Sequence, residues 1–344
     1  MKLGIIGLPG AGKTTLFETL TGIVLDDDRK QEDRIGTIKV PDEHVDSLSN
    51  MYNPKKTIYA QVEYLLPRKT ANKPNWKKDE TVWSSVRTCD ALIHVVRNFK
   101  SYGFEEPWPA EDFASLELDM IFTDLLVVEK RLERLEMDGK RGRKVDPEEV
   151  RLLTECREML EQEEPLRRNP ELAGADLLKG FTFLSAKPLL VIFNNDDEDD
   201  SLPKAGKVLE QERCLAIRAR LERELSQMPE EEAREYLQEF GISDSAMDLM
   251  IRVSYELLGL ISFFTVGEDE VRAWTIRRDT AASEAAGVIH SDIQKGFIRA
   301  EVLAYDDLMA AGSYKEARKN GTVRLEGKTY PVHDVDIIEF RFNV

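Results

Sequence analysis

Directly after the apolar run Leu3-Gly4-Ile5-Ile6, the chain reads Gly7-Leu8-Pro9-Gly10-Ala11-Gly12-Lys13-Thr14, with Thr15 next. Few patterns constrain a fold so tightly. A short buried strand must feed a glycine-rich turn, and the turn must open a helix, here expected from Thr14 to Leu20. Glycines let the backbone curl so that successive N–H groups point inward. The helix N-terminus adds partial positive charge, which suits an anion. In this pattern Lys13 reaches the outer phosphates of a bound nucleotide and the Thr14 hydroxyl is the expected Mg²⁺ ligand. The residues expected to line the phosphates are Gly7, Gly10, Ala11, Gly12, Lys13, Thr14 and Thr15.

The rest of the chain supports an α/β fold. Asp90–Arg97 and Pro188–Phe193 are short, apolar and rich in β-branched residues, as strands of a parallel sheet are. Helical stretches separate them, giving an open sheet with ligand loops at the strand carboxyl ends. Between these two strands, Leu118–Glu136 and Pro147–Arg167 read as long charged amphipathic helices joined by a turn, an antiparallel hairpin. Its turn carries Lys140, Arg141, Arg143 and Lys144, either a solvated tip or a phosphate-contacting patch. From Gly267 the pattern changes to alternating strands, at 271–276, 297–302 and 336–342, around a short helix at 281–290, a small α+β module.

Composition narrows the class further. Hydrophobic residues make up 42% and charged residues 33%, the balance of an ordinary soluble chain, and no apolar stretch reaches the roughly eighteen residues of a membrane span. The apolar start is too short for a signal peptide and is broken by the glycine turn. Cys89, Cys156 and Cys214 have no metal-ligand spacing and read as buried thiols in a reducing, cytoplasmic compartment. A formal net charge of −17 excludes nucleic-acid binding through the whole surface, leaving only local basic patches. His44, His94, His290 and His333 pair with no nucleophile or metal cluster, and no catalytic residue can be named.

A base-reading element is expected after the strand that ends near Phe193. Asn194-Asn195-Asp196-Asp197 has the spacing N-x-x-D, in which the Asp of guanine-binding P-loop proteins accepts hydrogen bonds from the base. The other reading is an acidic surface loop running from Asp196 to Asp200.

Several longer stretches resemble the YchF family, also called Obg-like ATPases. They are Tyr255–Ile261, Val271–Ile276, Ala286–His290, Lys295–Val302 and Phe340–Val344, with Val128–Leu135, Val40–Glu43 and His94–Arg97. The resemblance spans almost the whole chain. It implies a P-loop domain over 1–117 and 181–262, a helical hairpin inserted at 118–180, and a C-terminal TGS domain of β-grasp type over 263–344. It further implies a monomeric, ribosome-associated protein that contacts rRNA and ribosomal proteins and binds ATP or GTP with Mg²⁺. By position, Asn194 and Asn195 lie beside the base. Asp197 stands where the family usually has Glu, which keeps guanine in play.

The chain also departs from the family pattern. The P-loop lacks the family's Asn, having Gly10-Ala11-Gly12-Lys13-Thr14-Thr15 instead. Leu66 occupies the switch II Asp position, Pro67-Arg68-Lys69-Thr70 follows in place of a glycine-rich switch, and Lys30 falls at the switch I Thr. Phosphate binding survives these changes, whereas γ-phosphate sensing and hydrolysis lose their parts. The expectation is a slow or impaired NTPase. The alternative is a non-hydrolysing scaffold acting through hairpin and TGS domain. A small-molecule kinase is the weaker third class, since no arginine-rich lid stands out.

Overall fold

The computed structural model describes residues 1–23, 32–68, 80–100, 105–229, 231–232, 235–236 and 245–343. The chain divides into two compact units, Met1–Thr37 with Glu63–Met247, and Ile38–Val62 with Asp248–Val344.

The first unit is built on β1 (Lys2–Ile6), α1 (Lys13–Thr21), β2 (Arg34–Lys39) and, after an excursion into the second unit, β4 (Gln61–Leu66). The excursion holds α2 (Glu43–Tyr52) and β3 (Lys56–Ile58). The chain goes on through α3 (Glu80–Arg87), β5 (Ala91–Asn98), α4 (Pro109–Lys140), α5 (Pro147–Glu161), α6 (Pro170–Ala173), β6 (Leu189–Asn195), α7 (Lys207–Gln211), β7 (Arg213–Ile217) and α8 (Ala219–Ser226). The sheet order is β2-β4-β1-β5-β6-β7, and β1 pairs parallel with both β4 and β5, as do β5 with β6 and β6 with β7. All seven residues of β6 are buried, as expected where helices cover both faces of a parallel sheet. The α/β architecture read from the sequence is the one adopted.

Of the hairpin helices, the first is longer and the second shorter than the sequence suggests. Pro109 begins α4 nine residues before Leu118, and α5 stops at Glu161 rather than Arg167. Proline suits the first helical turn because its missing N–H would go unbonded there. At α5 the Asp146 side chain caps the Glu148 N–H at 3.0 Å. The start of α4 is pinned to the sheet by Phe113, Leu116 and Met120, whereas Val128 and Leu135 pack with Leu153, Cys156 and Leu160 of α5. Buried Asp124 fastens α4 to α3 and to the segment that leads into β6. It accepts from Leu184 N (3.1 Å), Ser185 N (2.7 Å), Ser185 Oγ (2.9 Å) and Arg87 (3.2 Å). A buried carboxylate persists only with such partners.

The second unit adds α9 (Ala246–Leu257), β8 (Leu260–Val266), β9 (Glu270–Arg277), α10 (Ala282–Ile289), α11 (Ser291–Lys295), β10 (Phe297–Ala304), α12 (Tyr305–Ala311), α13 (Tyr314–Lys319), β11 (Arg324–Glu326) and β12 (Asp336–Phe342). Its sheet runs β11-β10-β12-β8-β9-β3. Ala282, Ala285 and Ala286 lay α10 against Ile261, Ile276, Val302 and Ile338, a layout consistent with the β-grasp type.

The compact units are cut differently from the boundaries drawn at 117, 181 and 263. Residues 38–62 and 248–262 fold with the C-terminal strands, and the hairpin is not a unit of its own. The reason lies in long-range pairing. Strand β3 lies parallel to β9 through Lys56↔Glu270 and Ile58↔Arg272. Lys55 salt-bridges Asp269 at 2.7 Å, and His44 meets the Tyr305 ring edge-on at 4.6 Å.

Candidate nucleotide-binding site

The loop between β1 and α1 owes its shape to three glycines, of which Gly10 has φ 81°. Gly7 has φ 150° and Gly12 φ 95°, where side chains are disfavoured. Space forbids a side chain as well. A β-carbon on Gly7 would overlap the Val95 carbonyl oxygen, and one on Gly12 would overlap Asn194 Nδ2. Gly12 caps α1 without a side-chain hydrogen bond, so its backbone alone presents the helix N-terminus. Lys13 folds back over the loop, with Nζ donating to the carbonyls of Gly7 and Leu8, each at 2.7 Å. Half-buried Thr14 and Thr15 follow in the first turn, and buried Ala11 closes the loop onto Leu8 at 3.3 Å.

The N-x-x-D segment divides into three roles. Buried Asn194 donates from Nδ2 to the Ala11 carbonyl at 3.1 Å, and its Oδ1 accepts from Ala219 N at 3.1 Å. One side chain thus ties the end of β6 to the phosphate loop and to the start of α8. Asn195 is buried too, but both its N–H groups are spent on the following loop. They donate to the carbonyls of Asp199 (3.0 Å) and Ser201 (2.7 Å), while Oδ1 accepts from Asn98 at 2.9 Å. Asp197 is ion-paired to Arg220 on α8. The sequence reading missed Ala219 and Arg220. Their signal was Arg218-Ala219-Arg220 following an apolar run, the carboxyl end of a parallel strand where ligands gather.

Leu66 is a buried member of the core at the end of β4, and it brings no carboxylate toward a metal. Lys30, Lys69, Thr70 and Asp79 lie outside the described residues, as does the side chain of Glu80. His94 is buried on β5 opposite Ile6 and stacks on Phe113 at 5.2 Å. Burial, helped by the charges of Lys13 and Arg167, pulls its pKa down to about 3, so the imidazole stays neutral at physiological pH. Burial pushes the Cys89 thiol up to about 11, which suits packing rather than nucleophilic chemistry. At the hairpin tip, Lys140 is bridged to Glu136 at 2.6 Å and Arg143 to Asp138 at 2.8 Å. Arg141 and Lys144 are exposed and form no ion pair among the described residues.

A family model described as YchF-GTPase_C, a protein of unknown function (DUF933), matches residues 260–343. Over the full length of both chains, the sequence is 36% identical to the ribosome-binding ATPase YchF of Bacillus subtilis. The chain belongs to the YchF family. The ribosome-binding ATPase YchF of Haemophilus ducreyi is 34% identical, covering 100% of this chain and 99% of that one. Among solved structures, the Schizosaccharomyces pombe YchF GTPase superimposes with a TM-score of 0.85 at 28% identity, covering 99% of this chain and 97% of that one. The YchF relationship therefore extends through the phosphate loop, the hairpin and the C-terminal sheet. No helix among the described residues is long and apolar enough to cross a membrane.

Proposed function

We propose that this YchF-family chain binds a purine nucleoside triphosphate at the Gly7–Thr15 loop, hydrolyses it slowly or not at all, and acts on the ribosome as a cytoplasmic monomer. The observation that carries the reading is Lys13, held across the loop carbonyls beside an α1 N-terminus whose only cap is backbone. A phosphate offers the ammonium group a stronger, charge-assisted acceptor than a carbonyl does. Lys13 would then turn to the β- and γ-phosphates while the loop N–H groups hold the rest.

Mg²⁺ fits this donor set in the usual way for nucleotide sites, with few protein ligands and the remaining positions filled by phosphate oxygens and water. Thr14 would be the protein ligand, and the ion would supply neutralisation of phosphate charge. Leu66 gives no carboxylate to order the metal's waters, which supports slow turnover. Asn194 stands on the base side of the loop and Asp197 is the carboxylate a guanine base would call on, whereas Asn195 shapes the loop behind them. The Arg220 guanidinium competes for the Asp197 carboxylate that guanine would need. This favours adenine nucleotides at least as strongly as guanine ones.

The ribosome reading draws on the names of the relatives and on Arg141 and Lys144 at the hairpin tip. The buried Leu66 also supports the second reading, a nucleotide-bound scaffold that does not hydrolyse. Mass spectrometry of nucleotide released from the purified protein, with phosphate release measured in parallel, separates the two. Bound triphosphate without turnover means a scaffold, slow release of phosphate means an NTPase, and no affinity for any nucleotide removes both.

A further inference from the structure

The two hairpin helices do not close fully on each other. Between α4 and α5 lies a furrow of about 580 Å³ floored by Leu132, Leu135, Val145 and Val150. Glu129, Glu133, Glu136 and Glu161 also line it, with Arg157 as the one cation of the lining. Glu161 sits 3.7 Å from Arg157 and Glu136 is bridged to Lys140, but Glu129 and Glu133 have no ionic partner among the described residues. Toward the N-terminus of α4 the rim side of that helix continues through Leu118, Phe122 and Leu126, which are 41%, 59% and 49% exposed. Their spacing of four puts all three on one stripe with Glu129 and Glu133. A stripe of exposed large apolar residues running along the acidic rim of an apolar furrow marks an interaction surface.

We propose that this furrow and stripe dock a basic amphipathic helix of a protein partner, which packs as a third helix against α4 and α5. Charge complementarity selects the occupant. Lysines or arginines flanking an apolar face would neutralise Glu129 and Glu133 while leucine-like side chains fill the floor. RNA is disfavoured there, because its phosphates would meet the carboxylate rim and its backbone has nothing to place on the apolar floor. From Leu118 to Glu136 the surface runs roughly 27 Å at 1.5 Å per residue, the length of a helix of about five turns. The hairpin thus carries two chemically distinct faces, a basic tip and this acidic-rimmed flank. The inference is independent of nucleotide binding and of the ribosome reading.

The test uses the full chain and a fluorescein-labelled synthetic 18-residue peptide with leucines on one helical face and lysines on the others. A scrambled peptide of the same composition controls for attraction to the acidic protein as a whole. Fluorescence anisotropy at physiological salt should show the amphipathic peptide binding at least tenfold more tightly than the scrambled one. Phe122→Ser, and separately the pair Glu129→Lys and Glu133→Lys, should each weaken that binding at least tenfold. All these positions are exposed, so thermal melting should be unchanged and the loss cannot be assigned to unfolding. Equal binding of both peptides, or binding indifferent to both sets of substitutions, overturns the proposal. So does displacement of the peptide by oligouridylate, which would make the surface an RNA site. A dimer in sedimentation velocity that dissociates in Phe122→Ser would assign the surface to a second copy of the chain and overturn it equally.

Discussion

Asn194 donates to the carbonyl of Ala11 at 3.1 Å across 183 residues of sequence, and the β-carbon that Gly12 lacks would occupy the same space. The phosphate loop is therefore shaped from outside as well as by its own glycines. Removing the amide leaves a buried carbonyl and the Ala219 N–H without their partners, a loss of about 1–3 kcal/mol. Asn194→Ala should lower stability by that amount in urea denaturation and weaken ADP binding together. A variant of unchanged stability and unchanged affinity would show that the brace is incidental.

Lys13→Ala removes the mobile cation of the loop. Hydrogen bonds between charged groups contribute about 1.5–3 kcal/mol, so ADP and GDP affinity should each fall by roughly ten- to hundredfold in calorimetric titration. Equal affinity in both proteins would mean that phosphate is held elsewhere.

Base preference turns on Asp197 and Arg220. Adenine nucleotides should bind at least as well as guanine nucleotides to the unaltered chain. Arg220→Ala frees the carboxylate and should shift the ratio toward guanine, whereas Asp197→Ala should leave ADP affinity unchanged. A strong GTP preference in competition assays, abolished by Asp197→Ala, would reverse the assignment.

Turnover should be at least tenfold slower than in a YchF relative that keeps Asp-x-x-Gly after the equivalent of β4. Single-turnover phosphate release with excess protein measures this without relying on product dissociation. A rate ordinary for the family would direct attention to Asp79 or Glu80 as replacement carboxylates.

At the hairpin tip, internal ion pairs already engage Lys140 and Arg143. Reversing Arg141 and Lys144 to Glu should therefore reduce co-sedimentation with ribosomes at low salt about as much as reversing all four residues, with nucleotide affinity unaffected. If the double reversal changes nothing while the quadruple one does, the paired residues exchange partners on binding. If neither changes anything, the tip lies outside the interface.

The sequence by itself determined whatever depends on neighbours in the chain. Glycine and lysine spacing specified the loop at 7–15, runs of β-branched residues marked β1, β5 and β6, and amphipathic periodicity marked the two long helices of the hairpin. These signals are local because backbone freedom and helical or extended periodicity are set within a few residues. Only the tertiary structure decided which side chains meet. Asn194 and Asn195 are adjacent and chemically alike, yet one braces the phosphate loop and the other is consumed by its own loop, because their side chains leave β6 on opposite faces. Asp197 looked available for a base until α8 brought Arg220 to it. Strand β3 is three residues long, too short to signal its sheet, and its place beside β9 comes from hydrogen bonds and an ion pair to residues more than two hundred positions away. Such pairings depend on the whole chain closing, and no local pattern carries them.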